Sequence, residues 1–234
     1  MIVGGIQWMT LLDYPDKIAA TLFTAGCNFR CSFCHNPELV LPELVAEAGT
    51  ALEESFFDEL ADRRGFLDAI VISGGEPTLQ SDLLDVLARI KEIGYLVKLD
   101  TNGARPEIIE EAFDRGLLDF IAMDIKSPAD RYEQIVGISI DTNLIQESIS
   151  LIQQSGKRYE FRTTAAPGLS EDDLFRMGCW LEGSKAYWLQ MFRAPSQKRL
   201  VDESCREIET LGKGDLEAVW ERLRDRFEVG GVRG

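Results

Sequence analysis

The sequence has no run of about 18 uninterrupted apolar residues, which is close to the length that a helix needs to cross a bilayer. It also lacks an excess of basic residues, since 25 lysines and arginines face 40 aspartates and glutamates, for a net charge of −15. Binding to nucleic acid through its phosphates is therefore disfavoured, because it depends on clustered cations. No positive charge precedes a long apolar run near the N-terminus, so we expect no secretory signal and a soluble, cytoplasmic protein.

Histidine and cysteine are scarce. There is one histidine, His35, and there are five cysteines among 234 residues. An odd number of cysteines in a chain without a secretory signal argues against a disulfide framework. Three of the five lie close together, at Cys27, Cys31 and Cys34. This crowding favours a metal site.

Strand and helix patterns alternate along residues 18–192. Short apolar, β-branched runs predict strands, and apolar residues at helical spacing between them predict helices. Such alternation is typical of parallel βαβ units with right-handed crossovers, in an open doubly wound sheet or in a full or partial barrel. The six predicted strands are 18–24, 68–73, 95–99, 119–125, 158–165 and 186–192. The predicted helices lie at 52–60, 83–93, 106–113, 144–155 and 170–181.

The length suits one catalytic domain, which we place at residues 1–194. Residues 195–234 have a different composition, because they are polar and charged as far as Asp215. An amphipathic stripe follows and predicts a final helix docked on the core. Its members are Leu216, Val219, Trp220, Leu223 and Phe227.

The three clustered cysteines lie in one short loop, with separations of four and three residues, and Gly26 before them permits a tight turn. A loop of this size can wrap around one cubane iron–sulfur cluster. A cubane has four irons, so three thiolates leave one iron without a protein ligand. As in catalytic zinc sites, an open position of this kind indicates that a substrate binds at the metal.

Two other metal sites fit part of the same loop. The sequence from Cys31 to His35 matches the C-x-x-C-H pattern of haem attachment, but that reading leaves Cys27 unexplained. A structural zinc site with three cysteines and His35 would need ligands at the adjacent positions 34 and 35, which strains a tetrahedral geometry. We interpret His35 as a residue that organises the loop. We interpret Cys179 as a packed core residue and place Cys205 among polar neighbours, so neither is predicted to be the fourth ligand.

Polar residues also follow the predicted strands. In both candidate architectures the loops at the carboxyl ends of the strands carry the chemistry. Gly74 and Gly75 follow a buried strand, where glycine lets a ligand approach the backbone closely. With their neighbours they predict a polar cup on one rim, in which Asp124 can pair with Lys126 or Arg162. The polar residues of the cup are Glu76, Asp100, Thr101, Asn102, Asp124, Lys126, Arg162, Thr163, Thr164 and Gln190.

The C-x3-C-x2-C loop, with Phe33 before its third cysteine, resembles the signature of the radical S-adenosylmethionine (SAM) superfamily. Along nearly the whole chain the sequence resembles the longer type of anaerobic ribonucleoside-triphosphate reductase activating protein, and less closely pyruvate formate-lyase activating enzyme. It departs at Asp16, where glycine is expected. The matching segments are 12–15, 26–37, 72–80, 98–103, 122–126, 161–164 and Gln190.

This resemblance implies a partial (β/α)6 barrel with a C-terminal helical extension. It implies a [4Fe–4S] cluster held by the three clustered cysteines, with SAM bound to the open iron. Gly74, Gly75 and Glu76 would bind the methionine amino group, and Phe33 would lie near the adenine. No catalytic side chain is implied beyond the cluster and SAM.

The resemblance also implies roles for the later strand ends. Asp100, Thr101 and Asn102 match a region that contacts SAM and, in the pyruvate formate-lyase relative, a monovalent cation that also uses the match of Asp124. Lys126 and Arg162 match family residues that lie near the SAM carboxylate or ribose. Gln190 is the last residue that the resemblance places near SAM.

The implied reaction is reductive cleavage of SAM, followed by removal of a hydrogen atom from a glycine of a partner enzyme, here anaerobic ribonucleotide reductase. Flavodoxin or ferredoxin would donate the electron, and no nucleic acid or membrane is involved. The alternatives are an activase of another glycyl radical enzyme such as pyruvate formate-lyase, or a radical SAM enzyme acting on a small molecule or peptide. A non-enzymatic alternative is an iron–sulfur electron-transfer protein or a structural metal-binding protein.

Overall fold

The structure is a computed structural model that describes residues 1–194 and 196–234. Pro195, the first residue of the predicted C-terminal segment, lies outside the described residues, and the division at this position stays a prediction. Within the described ranges, no helix combines the length and the hydropathy needed to cross a membrane. The chain forms two compact units, each assembled from several chain segments.

Strands and helices alternate along most of the chain. The strands are β1 (Ile2–Thr10), β2 (Ala19–Thr24), β3 (Thr50–Ala51), β4 (Ala69–Gly74), β5 (Leu96–Thr101), β6 (Phe120–Asp124), β7 (Arg158–Ala165), β8 (Ala186–Met191) and β9 (Val229–Arg233). The helices are α1 (Pro37–Val40), α2 (Pro42–Ala48), α3 (Glu54–Asp62), α4 (Leu83–Ile93), α5 (Pro106–Asp114), α6 (Tyr132–Val136), α7 (Thr142–Gln154), α8 (Glu171–Trp180) and α9 (Lys213–Leu223).

The first unit comprises residues 1–28, 38–101 and 105–121. Its strands have the order β3-β1-β2-β4-β5. Strand β1 is antiparallel to both of its neighbours, whereas β2, β4 and β5 are parallel. The middle of β4 is fully buried from Ala69 to Ile72, and helix α4 buries Leu83, Leu87 and Ile90. Because a parallel strand is covered on both faces, it is apolar throughout, which is why its sequence shows no alternation.

The second unit comprises residues 29–37, 102–104 and 122–234. Strand β8 is parallel to β7 on one side and to β9 on the other. Helix α8 begins with a capping box between Ser170 and Asp173, which satisfies amide groups in its first turn. Helix α9 packs closely on α8, since a Cβ on Gly178 would lie 2.4 Å from a methyl group of Leu223. The final helix thus packs against the helix that precedes it in the second unit.

All six predicted strands form, as β2 and β4–β8, with ends within a few residues of the prediction. Strands β1, β3 and β9 were not predicted. The assignment of Phe227 to the final helix was wrong, because α9 ends at Leu223 and Phe227 follows it. The ring of Phe227 stacks on Trp220 and also contacts Tyr187. These ring contacts, and not the periodicity of the helix, explain why an apolar residue occurs at this position.

The turn before β2 contains Asp16, where the family pattern led us to expect glycine. Asp16 has φ of +64°, in the left-handed region that favours glycine. Aspartate tolerates this region better than most residues, because its short side chain can form local hydrogen bonds. The backbone therefore keeps the conformation that glycine would allow, although the residue has changed.

Candidate active site

In the first unit, the loop after β4 contacts the backbone at the start of the cysteine loop. Gly75 donates its amide to the Thr24 carbonyl, and Glu76 donates its amide to the Gly26 carbonyl, both at 2.8 Å. A Cβ on Gly75 would lie 2.1 Å from the Gly26 oxygen, and one on Gly74 would lie 2.4 Å from Thr24 backbone atoms. Glycine is therefore required at both positions because the two backbones touch there. The sequence alone did not reveal this reason.

The side chain of Glu76 is buried and holds this loop in place. Its Oε1 accepts hydrogen bonds from the Thr78 amide (3.1 Å), the Thr78 hydroxyl (2.6 Å) and the Thr101 hydroxyl (2.7 Å). Thr101 is the last residue of β5, so one carboxylate oxygen connects the ends of two adjacent strands. Hydrogen bonds to a charged acceptor are stronger than those between neutral groups, which suits a fixed loop.

We therefore expect Glu76→Gln to destabilise the protein by about 1–3 kcal/mol, because the substitution leaves buried donors with a weaker acceptor. Urea unfolding of the two proteins measures the difference. The control is Glu54→Gln, at a side chain that is 79% exposed and pairs with Arg89 on the surface. Exposed pairs contribute little, so no measurable change is expected there. A loss at position 54 equal to that at position 76 would contradict the argument.

Asp100, near the end of β5, receives charge compensation inside the first unit. The buried ammonium of Lys98 lies 3.3 Å from its Oδ1 and also donates to the Asp13 carbonyl. The Ser73 hydroxyl, from β4, lies 3.3 Å from its Oδ2. Lys98 belongs to the motif of residues 98–103, but sequence reasoning did not select it as a site residue. Lys98 and Asp100 are two residues apart on one strand and therefore share a face of the sheet. This spacing was the signal that could have identified Lys98.

Asn102 and Gly103 turn the chain after β5, in the second unit. The Asn102 side-chain oxygen accepts a hydrogen bond from the Ala104 amide at 3.0 Å, as in an Asx turn. Gly103 has φ of +77°, and its carbonyl accepts a hydrogen bond from Ser148 of α7 at 2.7 Å. Asn102 therefore shapes this loop with its own side chain.

The second unit brings together three of the predicted site residues. Asp124 ends β6, and its carboxylate lies 3.0 Å from the ammonium of Lys126 and 2.8 Å from Nε of Arg162. Burial acts to raise the pKa of Asp124, but the two cations outweigh it and hold that pKa far below its ordinary value. Burial likewise acts to lower the pKa of Lys126, yet Asp124 raises it overall. All three groups are therefore charged, and both predicted ion pairs are confirmed.

The structure places the cysteines in both units, Cys27 in the first and Cys31 and Cys34 in the second. None of the three forms a disulfide bond with another described residue. Burial raises the pKa of the Cys31 thiol to about 11, and Lys126 opposes this shift. Within either unit, the described residues contain no group of three His, Cys, Asp or Glu side chains that could hold a metal ion.

The chemistry of this donor set fits an iron–sulfur cluster. Such clusters are held by cysteine thiolates, and binding of the metal displaces the thiol proton, even from a buried cysteine. The nearby ammonium of Lys126 also favours the thiolate form of Cys31.

The backbone of the cysteine loop is held by a distant part of the chain. The carbonyl of Cys34 accepts a hydrogen bond from the Val201 amide at 3.0 Å, and that of Ser32 accepts one from Asp202 at 2.9 Å. The Arg30 amide donates to the Val136 carbonyl at 2.7 Å. Sequence reasoning described residues after 195 as merely polar and missed this contact, because backbone hydrogen bonds leave no side-chain signature.

Aromatic contacts fix two side chains of the same loop. Phe192 follows β8, and the ring of His35 stacks on it with centroids 5.3 Å apart, while Phe33 meets it edge to face at 6.3 Å. Burial lowers the pKa of His35. Its Nε2 atom is buried and has no hydrogen-bond partner among the described residues. These contacts agree with our interpretation of His35 as part of the loop's internal packing.

The other two cysteines lie in different environments, and only the interpretation of Cys179 as a core residue differs from the structure. Cys179, interpreted as a core residue, is half-buried, whereas Cys205, placed among polar neighbours, is buried. The reason is that Cys205 lies in a short 3-10 helix (Glu203–Glu207) whose polar residues face outward. Gln190 lies near the end of β8, in register with Thr164 of β7.

Comparison with known proteins points to one family. A family model described as the radical SAM superfamily matches residues 21–177. A protein of Methanocaldococcus jannaschii, named as a candidate glycyl-radical enzyme activating enzyme, is 37% identical over 223 residues, which cover 91% of this chain and 90% of that protein. The pyruvate formate-lyase-activating enzyme of Listeria monocytogenes is 36% identical over 138 residues, which cover 53% of this chain and 52% of that enzyme.

Solved structures agree on the fold. Streptococcus suis SuiB bound to S-adenosylmethionine has a TM-score of 0.64 at 14% identity, over 92% of this chain and 52% of SuiB. The chain thus spans about half the length of that protein. A second structure, described as native anSMEcpe with bound AdoMet, has a TM-score of 0.59 at 13% identity, over 86% of this chain and 57% of that one. These likenesses confirm the predicted α/β fold class with its partial barrel.

Proposed function

Because this chain belongs to the radical SAM superfamily, we propose that it is an activating enzyme that generates a glycyl radical on anaerobic ribonucleoside-triphosphate reductase. The identity of 37%, over nine tenths of the chain, with a candidate glycyl-radical enzyme activating enzyme carries the activating-enzyme part of the proposal, and the choice of partner rests on the sequence resemblance. The C-x3-C-x2-C loop, whose cysteines form no disulfide bond with another described residue, agrees with it.

Cys27, Cys31 and Cys34 would hold a [4Fe–4S] cluster with one iron open to SAM. With SAM bound, the cluster supplies the one-electron chemistry that removes a hydrogen atom from a glycine Cα. The protein contributes the binding and orientation of these groups. Gly75 and Glu76 fix the start of the cysteine loop through two backbone hydrogen bonds, so the loop is held before the cofactor arrives.

The remaining predicted residues would bind SAM, with Gly74, Gly75 and Glu76 facing its amino group and Phe33 its adenine. Lys126 and Arg162 suit its carboxylate or ribose, because Asp124 fixes both cations in place before a ligand binds. The polar residues that complete the proposed site are Asp100, Thr101, Asn102, Asp124 and Gln190. A monovalent cation near Asp100 and Asp124, and flavodoxin or ferredoxin as electron donor, belong to the same proposal.

The direct test is to incubate the reduced, cluster-loaded protein with SAM and the candidate reductase. We expect a glycyl doublet in the electron paramagnetic resonance spectrum, together with 5′-deoxyadenosine. A reductase in which alanine replaces the radical glycine is the control and should give no doublet.

The other outcomes separate the alternatives. Formation of 5′-deoxyadenosine without a doublet would exclude this reductase, and the same assay with pyruvate formate-lyase would then test the second candidate partner. An iron–sulfur protein without catalysis would give neither SAM cleavage nor a SAM-dependent change in the cluster spectrum. That result would overturn the proposed function.

A further inference from the structure

Five charged side chains of the second unit form a line of alternating sign that leads away from the proposed SAM site. Each member contacts the next, from Lys126 through Asp124, Arg162 and Glu160 to Arg233. The nitrogen–oxygen distances along the line are 3.0, 2.8, 3.9 and 2.9 Å. The first three are residues of the proposed SAM site. Glu160 and Arg233 lie outside that set.

Glu160 is the most deeply buried member of this line. Its side chain is only 4% exposed, although it carries a charge. Burying a carboxylate is costly unless cations and hydrogen bonds compensate it. Arg233 meets it with two nitrogens, at 3.3 and 2.9 Å, whereas Arg162 approaches it at 3.9 Å. Of these two arginines, Arg233 therefore compensates the charge of Glu160 at the shorter distance.

Arg233 is itself held on two sides. It lies on β9 in register with Gln190 of β8. Its guanidinium lies 3.7 Å from the ring centroid of Trp188, which is two residues earlier on β8. Stacking on an aromatic ring suits the planar guanidinium and leaves its edge free to form a forked pair with a carboxylate. Strand β9 thus presents a fixed cation to Glu160.

This arrangement affects where Arg162 points. Asp124 and Glu160 both attract Arg162, and at present its Nε lies 2.8 Å from Asp124. Removal of Arg233 would strengthen the pull of Glu160 on Arg162, because that carboxylate would lose its forked pair with the Arg233 guanidinium. Arg162 would then move from Asp124 towards Glu160.

We propose that Glu160 and Arg233 are positioning residues for SAM binding, which act by keeping Arg162 on Asp124. This inference rests on the proposed function, since it takes Arg162 to contact SAM. It adds that Arg233 of β9, which is far along the chain from the cysteines and from the loop after β4, helps to set the affinity for SAM.

The test uses the full-length, cluster-loaded protein and the variants Arg233→Ala, Glu160→Gln and the double variant. Equilibrium dialysis with labelled SAM gives the dissociation constant, and the NMR signal of the Arg162 Nε–H group reports its hydrogen bond to Asp124. We expect Arg233→Ala to raise the dissociation constant about tenfold, in the range of coupling between contacting charges, and to shift the Arg162 signal.

The double variant separates positioning from simple support of β9. Glu160→Gln removes the charge that pulls on Arg162, so both the affinity and the Arg162 signal should return close to their wild-type values despite the loss of Arg233. If Arg233 merely stabilised the strand, the double variant would bind SAM as poorly as Arg233→Ala. That result, or an unchanged affinity in Arg233→Ala, would overturn the inference.

Arg226→Ala is the matched control, since Arg226 follows α9 and forms a partly exposed ion pair with Glu182 at 2.7 Å. It should leave the SAM dissociation constant unchanged, and a tenfold increase there would count against the inference. If the wild-type protein does not bind SAM, the proposed function fails. The Arg162 signal in the three variants then still decides whether Arg233 positions Arg162.

Discussion

Replacement of Cys27, Cys31 or Cys34 by alanine is expected to abolish SAM cleavage, with 5′-deoxyadenosine falling below detection. Each of the three thiolates would hold one iron of the cluster, and two thiolates cannot keep a cubane in place. Iron and sulfide analysis of the reconstituted variants, together with chromatography of the cleavage products, gives the result.

The matched controls are Cys179→Ala and Cys205→Ala, because both sites also hold free thiols. Both variants should retain the cluster and SAM cleavage. Cys205 is buried, so its replacement removes some packing and lowers stability by about 1 kcal/mol without touching the cluster. Full activity in Cys27→Ala, Cys31→Ala or Cys34→Ala would refute the ligand set.

Gly75→Ala is expected to have the second largest effect. Its new methyl group would lie 2.1 Å from the Gly26 carbonyl oxygen and 2.7 Å from that of Leu39. Neither neighbour is a flexible side chain, so the backbone must shift, and we expect a loss of about 3 kcal/mol in the free energy of unfolding. The shift displaces the start of the cysteine loop, so the cluster should also be retained poorly. Urea unfolding and the iron content after gel filtration measure the two effects.

Gly5→Ala is the control for this substitution. Gly5 lies in β1 of the same unit, and a Cβ there would meet nothing within 4 Å. We expect no loss of stability, and a gain of about 0.5–1 kcal/mol is the usual result when alanine replaces glycine in a strand. Equal stability of Gly75→Ala and Gly5→Ala would show that the β4 loop can move away from Gly26 at no cost.

The elements that sequence reasoning found are those with a strong apolar signal. Buried parallel strands such as β4 are continuously apolar, and α4 repeats leucine and isoleucine at helical spacing. Strands β1 and β9 were missed because each contains two consecutive glycines, at positions 4–5 and 230–231, and glycine is rare in strands. Pairing with the neighbouring strands forms them, and that interaction is not visible in a local sequence pattern.

The candidate site was predicted unevenly for a similar reason. Asp124 and Lys126 were identified because polar residues at the carboxyl end of a buried strand stand out, and Arg162 was identified through the polar run of residues 162–164. Glu160 and Arg233 were not identified, since Glu160 lies inside β7, β9 was not predicted, and their contact joins distant parts of the chain. Cys179 was misjudged because it lies on α8 and is only half-buried, and helical spacing alone does not show how far a helix face is covered.

The hydrogen bonds from Val201 and Asp202 to the cysteine loop also bear on the order of events during synthesis. The loop leaves the ribosome early, whereas the residues that fix its carbonyls follow after more than half of the chain has been made. Until then, Cys31 and Cys34 stay in a segment without its final support, where thiols are open to oxidation and to stray metal ions. If these thiols hold the proposed cluster, we expect it to be loaded only after the C-terminal segment has been made.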